Sequence, residues 1–370
     1  MSASARIEGN SLEDVVAATT RLSDVDGEQG RLVLAGHPIE DVAGRIPFED
    51  ALFLLFRGAF PTPAQRGALQ DALGDARESA FERLGDLGDA LALADGMDAL
   101  RASVAHLGVV AGEEPFAEAL RIVGSIAVFA AAWARQGAPV RPDARLAHGA
   151  DYLRMVSGRA PAAREIAAID AYLVTVMDHG MNASTFAARV VASTASDTIS
   201  AVVAGIGALK GKLHGGAPGP VLDMLDAIGE PDQAQAWVAS ALARGERIMG
   251  MGHRVYRVRD PRAFVLERAV AQLEASSEKA SPIGRRLRLA RAVEAEAEKQ
   301  LAASHPERAL KANVEFYTAV LLEAVGLPRT LFTPTFAASR AAGWCAHVDE
   351  QRRFGRLIRP KSRYTERADG

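Results

Sequence analysis

Cysteine is nearly absent from the chain. With Cys345 alone among 370 residues, no internal disulfide can form, and a reducing compartment, the cytoplasm, is the expected setting. Net charge is also small: 43 basic against 46 acidic side chains give a formal −3. That balance supports neither nucleic acid nor an acidic membrane as partner, although a local basic cluster can still bind an anion. No apolar run reaches the roughly 18–20 residues that span a bilayer. Residues 1–10 lack the basic stretch and apolar core of a secretory signal. Aromatics make up only 6% of the chain.

What the chain has is alanine. Nearly half the residues are hydrophobic, and alanine, prominent among them, loses no side-chain entropy in a helix. An all-α, closely packed fold is expected, and the length admits one large domain or a large and a small one. Residues 30–36, bounded by glycines, read as a short strand or hairpin near the N-terminus. Ile166, Ile169, Leu173, Val176 and Met177 fall on one helical stripe. Ile283, Leu287, Ala290, Ala297 and Leu301 do the same, with Arg285, Arg288, Glu294 and Glu298 facing outward. There is no fixed-period repeat and no low-complexity tract.

Two of the breaks between helices are rich in Gly, His and Arg rather than polar filler. In Gly211-Lys212-Leu213-His214-Gly215-Gly216-Ala217-Pro218-Gly219-Pro220, the glycines let the backbone approach a ligand, and Pro218 or Pro220 suits a helix first turn. His214 is placed at or before a helix N-terminus, where the dipole disfavours imidazolium. A neutral histidine there can donate to a carbonyl oxygen that gains charge. The same residues also suit a plain Gly-Pro linker.

The second break, Gly250-Met251-Gly252-His253-Arg254-Val255-Tyr256-Arg257-Val258-Arg259-Asp260-Pro261-Arg262, puts four arginines within nine residues beside a histidine. Guanidinium forks match carboxylates in a bidentate way, so this reads as a concentrated anion site; a solvated charged loop is the plainer alternative. The Gly-x-Gly lacks the rest of a dinucleotide fingerprint. A third segment, Asn313-Val314-Glu315-Phe316-Tyr317, opens a helix with Asn313 as N-cap and a stripe of Val314, Tyr317, Leu321 and Val325. Glu315 in the first turn suits simple dipole complementarity, and a general base at that place needs desolvation to raise its pKa. His179, in Asp178-His179-Gly180-Met181-Asn182-Ala183-Ser184-Thr185, and Arg340 and Arg359, in Ser339-Arg340 and Arg359-Pro360-Lys361-Ser362, are further candidates. Each also suits an ordinary core or surface role. Asn182-Ala183-Ser184 matches a glycosylation acceptor, a match that is empty in a cytoplasmic chain.

Together with residues 12–20, these blocks resemble the citrate synthase family in type, order and spacing over essentially the whole chain. The resemblance implies an almost entirely α-helical enzyme with a minor N-terminal β-hairpin and a homodimer at least. It implies a large domain of residues 1–216 and 327–370, and a small domain of residues 217–326 closing over a cleft. It implies condensation of acetyl-CoA with oxaloacetate, with CoA thioester as co-substrate and no metal or redox cofactor. His214 takes the place of the donor to the thioester carbonyl, Glu315 that of the base removing the methyl proton, and His253 that of the donor to the keto oxygen. His179, Arg262 and Arg340 match the oxaloacetate site, with Arg359 reaching in from the partner subunit. Gly250, Met251, Gly252 and Arg257 are the candidate CoA contacts.

Two departures stand out. The family most often has aspartate where this chain has Glu315, which moves the carboxylate by roughly 1.5 Å, although some bacterial members share the glutamate. Leu34-Ala35-Gly36 stands where Tyr-Arg-Gly is usual. The chain also begins without the segment that accompanies NADH inhibition in longer bacterial forms, so such regulation is not expected. The alternatives are 2-methylcitrate synthase, using propionyl-CoA and differing by one methylene worth ~1–3 kcal/mol, and a non-catalytic relative binding a di- or tricarboxylate or CoA.

Overall fold

The computed structural model describes residues 12, 15–215, 218–253, 255–275, 281–308, 310–362 and 364. Near the N-terminus, β1 (Ser23–Asp26), β2 (Arg31–Leu34) and β3 (His37–Pro38) form an antiparallel sheet in that order. Val25 faces Leu32, and Leu34 faces His37. The expected hairpin is thus the β2–β3 half of a three-stranded meander. Its two-residue turn, Ala35-Gly36, has positive φ at both positions (46° and 89°), the backbone that matches strand twist. A glycine takes this at no cost, and Ala35 is the unusual occupant.

Among the described residues fifteen α-helices follow: α1 (Ile39–Val42), α2 (Phe48–Arg57), α3 (Pro63–Glu82), α4 (Gly96–Ala105), α5 (Pro115–Ala134), α6 (His148–Ser157), α7 (Ala163–Val176), α8 (Ala183–Ala192), α9 (Thr198–Leu209), α10 (Pro218–Ile228), α11 (Ala234–Ala243), α12 (Pro261–Ala275), α13 (Pro282–Ser304), α14 (Val314–Ala324) and α15 (Phe332–Phe354). The fold is all-α apart from the small sheet, as the composition implies. Local chemistry sets the boundaries. Thr62 and Gln65 form a reciprocal capping box ahead of α3, with Pro63 in the first turn. Asn182 caps α8, Asp197 caps α9, Ser281 caps α13 and Asn313 caps α14.

Buried apolar residues from Leu22 to Val348 form one contiguous cluster. Helix α5 has the length and composition of a membrane span, yet 78% of its apolar window is buried inside the fold. It packs on α3, α4, α6 and α15. The stripe expected on α14 is only part of its buried surface. Phe316, Thr318, Ala319, Val320 and Leu322 are buried as well, because α7, α10, α12 and α13 surround it. A helix apolar on all sides is an interior helix. Helix α15 is the other interior rod, buried from Phe332 to Val348 with few breaks. It comes so close to the end of α7 that a Cβ at Gly343 would stand 2.3 Å from the Met177 carbonyl oxygen. That close approach brings Arg340 of α15 against the turn carrying Asp178 and His179.

Candidate active site

Four helix ends and one helix middle deliver the candidate side chains to one place. His179 lies in the turn between α7 and α8, His214 in the turn after α9, and His253 in the loop before α12. Arg262 and Glu315 occupy the first turns of α12 and α14, and Arg340 sits mid-way along α15. The His179 ring is 5.8 Å from His253 and 5.6 Å from Tyr256, centroid to centroid. His179 lies in the electrostatic field of Arg262, Arg340, His253 and His214, and Glu315 in that of Arg262, Asp260 and Arg340. Helices α7, α8, α9, α12, α14 and α15, far apart in sequence, therefore share one polar cluster within an apolar core.

The histidines are held neutral. Burial first, and then the Arg340 charge, push His214 down to about 4. Burial and Arg262 take His253 down to about 4 as well. His179 is lowered by burial, with Arg262 and Arg340 next. Neutrality of His214 was expected from a helix dipole. Desolvation and a neighbouring cation account for it instead, and residues 216–217, which lead into α10, lie outside the described residues.

Hydrogen bonds fix the tautomers. The His253 Nδ1 accepts from the backbone N–H groups of Val255 (3.0 Å) and Tyr256 (3.2 Å), so its proton is on Nε2. That Nε2 stands 3.3 Å from Arg262 Nη2; two donors side by side call for an acceptor from outside the protein. The His214 Nε2 lies 2.8 Å from Ser184 Oγ, and the Ser184 N–H points to the same nitrogen at 3.3 Å. A backbone N–H requires a lone pair there, which leaves the His214 proton on Nδ1. Ser184 is itself fixed: its Oγ accepts from Trp344 Nε1 at 3.1 Å and lies 2.8 Å from Asn182 Oδ1. Ser184, which the sequence also places in a glycosylation match, is thus a first-turn residue of α8 that orients His214.

Glu315 behaves oppositely to its histidine neighbours. The residue keeps some solvent contact, but desolvation pushes its carboxyl up to about 7, against the pull of Arg262 and Arg340. The desolvation that a general base needs at a helix N-terminus is present. The helix is also tied to the His253 loop. Gly252 N–H donates to Lys311 O (2.7 Å), Asn313 N–H donates to Gly250 O (2.9 Å), Asn313 Nδ2 donates to Gly252 O (2.7 Å), and Met251 pairs with Ala312. Gly250 needs its positive φ of 77°, and a Cβ there would stand 2.9 Å from the Phe316 ring.

The arginines divide. The run at 254–262 does not form one anion site. Arg259 pairs with Glu267 (2.9 Å) and Glu294 (2.8 Å), Arg257 is exposed with its Nε 3.8 Å from Glu28, and Arg254 lies outside the described residues. Of the run's described arginines only Arg262 joins the cluster, in a two-point contact with Asp260 (3.0 and 2.8 Å). Asp260 Oδ2 also accepts from the Val314 N–H at 3.1 Å, so one carboxylate holds Arg262 and the helix turn that bears Glu315. In the sequence, the signal for this role of Asp260 is its place two residues before Arg262. Arg340 donates from Nε to Val176 O (2.7 Å) and stacks over Phe336 at 4.9 Å. Its Nη1 is buried with no hydrogen-bond partner in the protein. Burial takes its pKa down to about 10, with Asp178 opposing. Arg359, in contrast, is exposed on the C-terminal segment and does not enter this chain's own cluster.

Such an arrangement can do enolate chemistry. A carboxyl poised near neutrality and an imidazole N–H proton donor can together enolise a weakly acidic C–H next to a carbonyl. A second imidazole N–H with two buried guanidinium groups can hold and polarise an anionic carbonyl compound.

Residues 11–361 match the family model described as citrate synthase, C-terminal domain. The chain is 40% identical to the citrate synthase of Haloferax volcanii, over 97% of this chain and 96% of that one. It is 36% identical to the 2-methylcitrate synthase of Mycobacterium tuberculosis, over 95% and 89%. The citrate synthase of Thermoplasma acidophilum, solved with carboxymethyl coenzyme A and oxaloacetate, superposes with a TM-score of 0.85 at 27% identity, covering 97% of this chain and 96% of that one.

Proposed function

The chain belongs to the citrate synthase family, an enzyme family of acyl transfer, and we propose that it condenses acetyl-CoA with oxaloacetate and water to give citrate and CoA. The observation that carries this reading is the pairing of charge states: two imidazoles kept neutral, and a carboxyl pushed up to about 7, among the same buried arginines. In the proposed sequence, the Glu315 carboxylate takes a methyl proton from the thioester while His214 Nδ1–H donates to the thioester oxygen. The enol carbon attacks the keto carbon of oxaloacetate, and His253 Nε2–H supplies the proton for the new hydroxyl. Water then cleaves the citryl thioester, releasing CoA and citrate. The thioester is a co-substrate, and the sequence of steps calls for no metal or redox cofactor.

The binding roles follow the same logic. Arg340, through its unpartnered Nη1, and Arg262 grip the oxaloacetate carboxylates beside His179. Arg359 completes the site from the partner subunit of a homodimer, which fits its exposure in the single chain. Gly250, Met251, Gly252 and Arg257 border the CoA path. Residues 217–326 form a small domain that closes on residues 1–216 and 327–370, excluding water from the enol.

The second reading, 2-methylcitrate synthesis from propionyl-CoA, is favoured by the 36% identical Mycobacterium relative. A kcat/KM comparison of the two thioesters, read as oxaloacetate-dependent thiol release, decides. Acetyl-CoA is expected to be preferred; a propionyl-CoA preference of about tenfold or more, the scale one methylene allows, overturns the first choice.

A further inference from the structure

A second polar chain, separate from the groups that face substrate, runs through the core behind His179. Asp178 is buried and held down at about 2, with His347 and Arg340 opposing the cost of burial. Its Oδ2 accepts from Ser23 Oγ and, at 3.3 Å, from the Gly180 N–H. Its Oδ1 accepts from His347 Nε2 at 3.0 Å. His347 Nδ1 accepts in turn from Arg189 Nε at 2.9 Å, which fixes the His347 proton on Nε2. Arg189 forks onward, donating from Nη1 to Gln351 Oε1 at 3.0 Å and from Nη2 to Glu350. Arg189, His347 and Gln351 are all at most 4% exposed.

The chain ends on the C-terminal segment. Gln351 Nε2 donates to Arg356 O at 2.9 Å, and Ile358 N–H donates to Ser193 Oγ at 3.1 Å. These two bonds fasten the backbone on the N-terminal side of Arg359. Beyond α15 the described residues, 355–362 and 364, have no regular structure and their side chains are mostly exposed, so they have few other means of holding one course. We propose that Gln351, set in place by the Arg189–His347–Asp178 chain, and Ser193 are positioning residues for oxaloacetate binding, acting through Arg359. The same buried chain then holds the turn carrying His179, which serves this chain's own site, and the segment that serves the partner's. This rests on the reading above, in which Arg359 reaches across the dimer.

The test is steady-state kinetics on Gln351→Glu, Ser193→Ala, Arg359→Ala and the double variant Gln351→Glu/Arg359→Ala. Gln351→Glu retains an acceptor for Arg189 but loses the donor to Arg356 O, so the internal chain survives and the tether does not. The expected result is an oxaloacetate KM raised about tenfold, the scale of one buried hydrogen bond, with kcat and the acetyl-CoA KM within about twofold. In the Arg359→Ala background the same change is expected to add nothing, since the two act as a unit. Ser193→Ala, a smaller excision outside the buried chain, is expected to act in the same direction and guards against a Gln351→Glu protein that fails to fold. Loss spread equally over kcat and both KM values, or an undiminished cost in the Arg359→Ala background, overturns the inference while leaving the site reading standing. An unchanged oxaloacetate KM in Arg359→Ala itself overturns the cross-subunit role first, and the inference with it.

Discussion

Two buried arginines divide this molecule into a closed region and an open one. Arg77, between α3 and α6, is fully buried and fully occupied. Its Nε donates to Asp151 at 2.7 Å, its Nη2 donates to Leu146 O at 2.9 Å, and its Nη1 stands 3.4 Å from a His148 kept neutral by burial. Arg340 is as deeply buried, yet one of its terminal nitrogens has no protein partner, and burial depresses its pKa to about 10. A buried guanidinium is costly unless its donors are met. Arg77 meets that cost within the fold, which makes it a structural clamp. Arg340 leaves part of it unmet. The difference shows that burial alone does not mark a site; Arg340 stands apart because its unmet donor lies beside the buried histidines.

The largest expected effect lies at the centre of the open region. Glu315→Gln is expected to lower kcat for thiol release by about 10²–10⁴, the range for a general base. The wild-type kcat/KM is expected to rise with pH and level off above about 7, as the carboxyl ionises, while the His214 and His253 imidazoles stay neutral. Stability runs the other way. A carboxyl whose folded pKa is raised contributes stability that is full below its unfolded value and is lost as pH rises through about 7. At pH 8 the Gln variant is therefore expected to melt no lower than wild type, and a drop of several degrees there breaks the assignment of Glu315 to the open region.

Next comes the arginine pair itself. Arg340→Met is expected to raise the oxaloacetate KM by about 30-fold or more, since truncating one partner of a buried charge contact costs about 2–5 kcal/mol. Arg77→Met is expected to destabilise the fold by about 3–5 kcal/mol while the folded enzyme keeps its KM values. Thermal melting beside kinetics reads both. If Arg77→Met moves the oxaloacetate KM as far as Arg340→Met does, the division fails.

Much of the open region was legible in the sequence, because glycines and caps advertise special backbone. His214 and His253 sit among glycines, and Asn313 announces the turn that holds Glu315. What stayed hidden were residues whose work depends on long-range neighbours. Ser184 looks like half of a glycosylation match until α8 brings it to His214. Asp260 looks like loop charge until its carboxylate is seen spanning Arg262 and Val314. His347, Arg189 and Gln351 lie on helix surfaces that only the packing of α8 against α15 makes interior. The arginine run misled for the same reason: periodicity does not say that Glu267 and Glu294 on α12 and α13 lie within reach of Arg259.

Arg257 belongs to neither class and gives the smallest effect. It is exposed, its Nε lies 3.8 Å from an equally exposed Glu28 carboxylate, and its N–H donates to Gly27 O at 2.8 Å. The backbone bond survives any side-chain change, so Arg257→Ala removes only a solvated charge. If that charge meets a phosphate of CoA, the acyl-CoA KM rises by about threefold to fivefold at low salt, the scale of an exposed ion pair. The difference then shrinks as salt reaches about 0.5 M, where screening acts within a few ångströms. The oxaloacetate KM is expected to stay put, because the proposed anion-binding groups, Arg262 and Arg340, are buried while Arg257 is exposed. An acyl-CoA KM that ignores both the substitution and the salt leaves Arg257 with the turn at Gly27 and Glu28 alone. A shift in the oxaloacetate KM instead extends the open region to the protein surface.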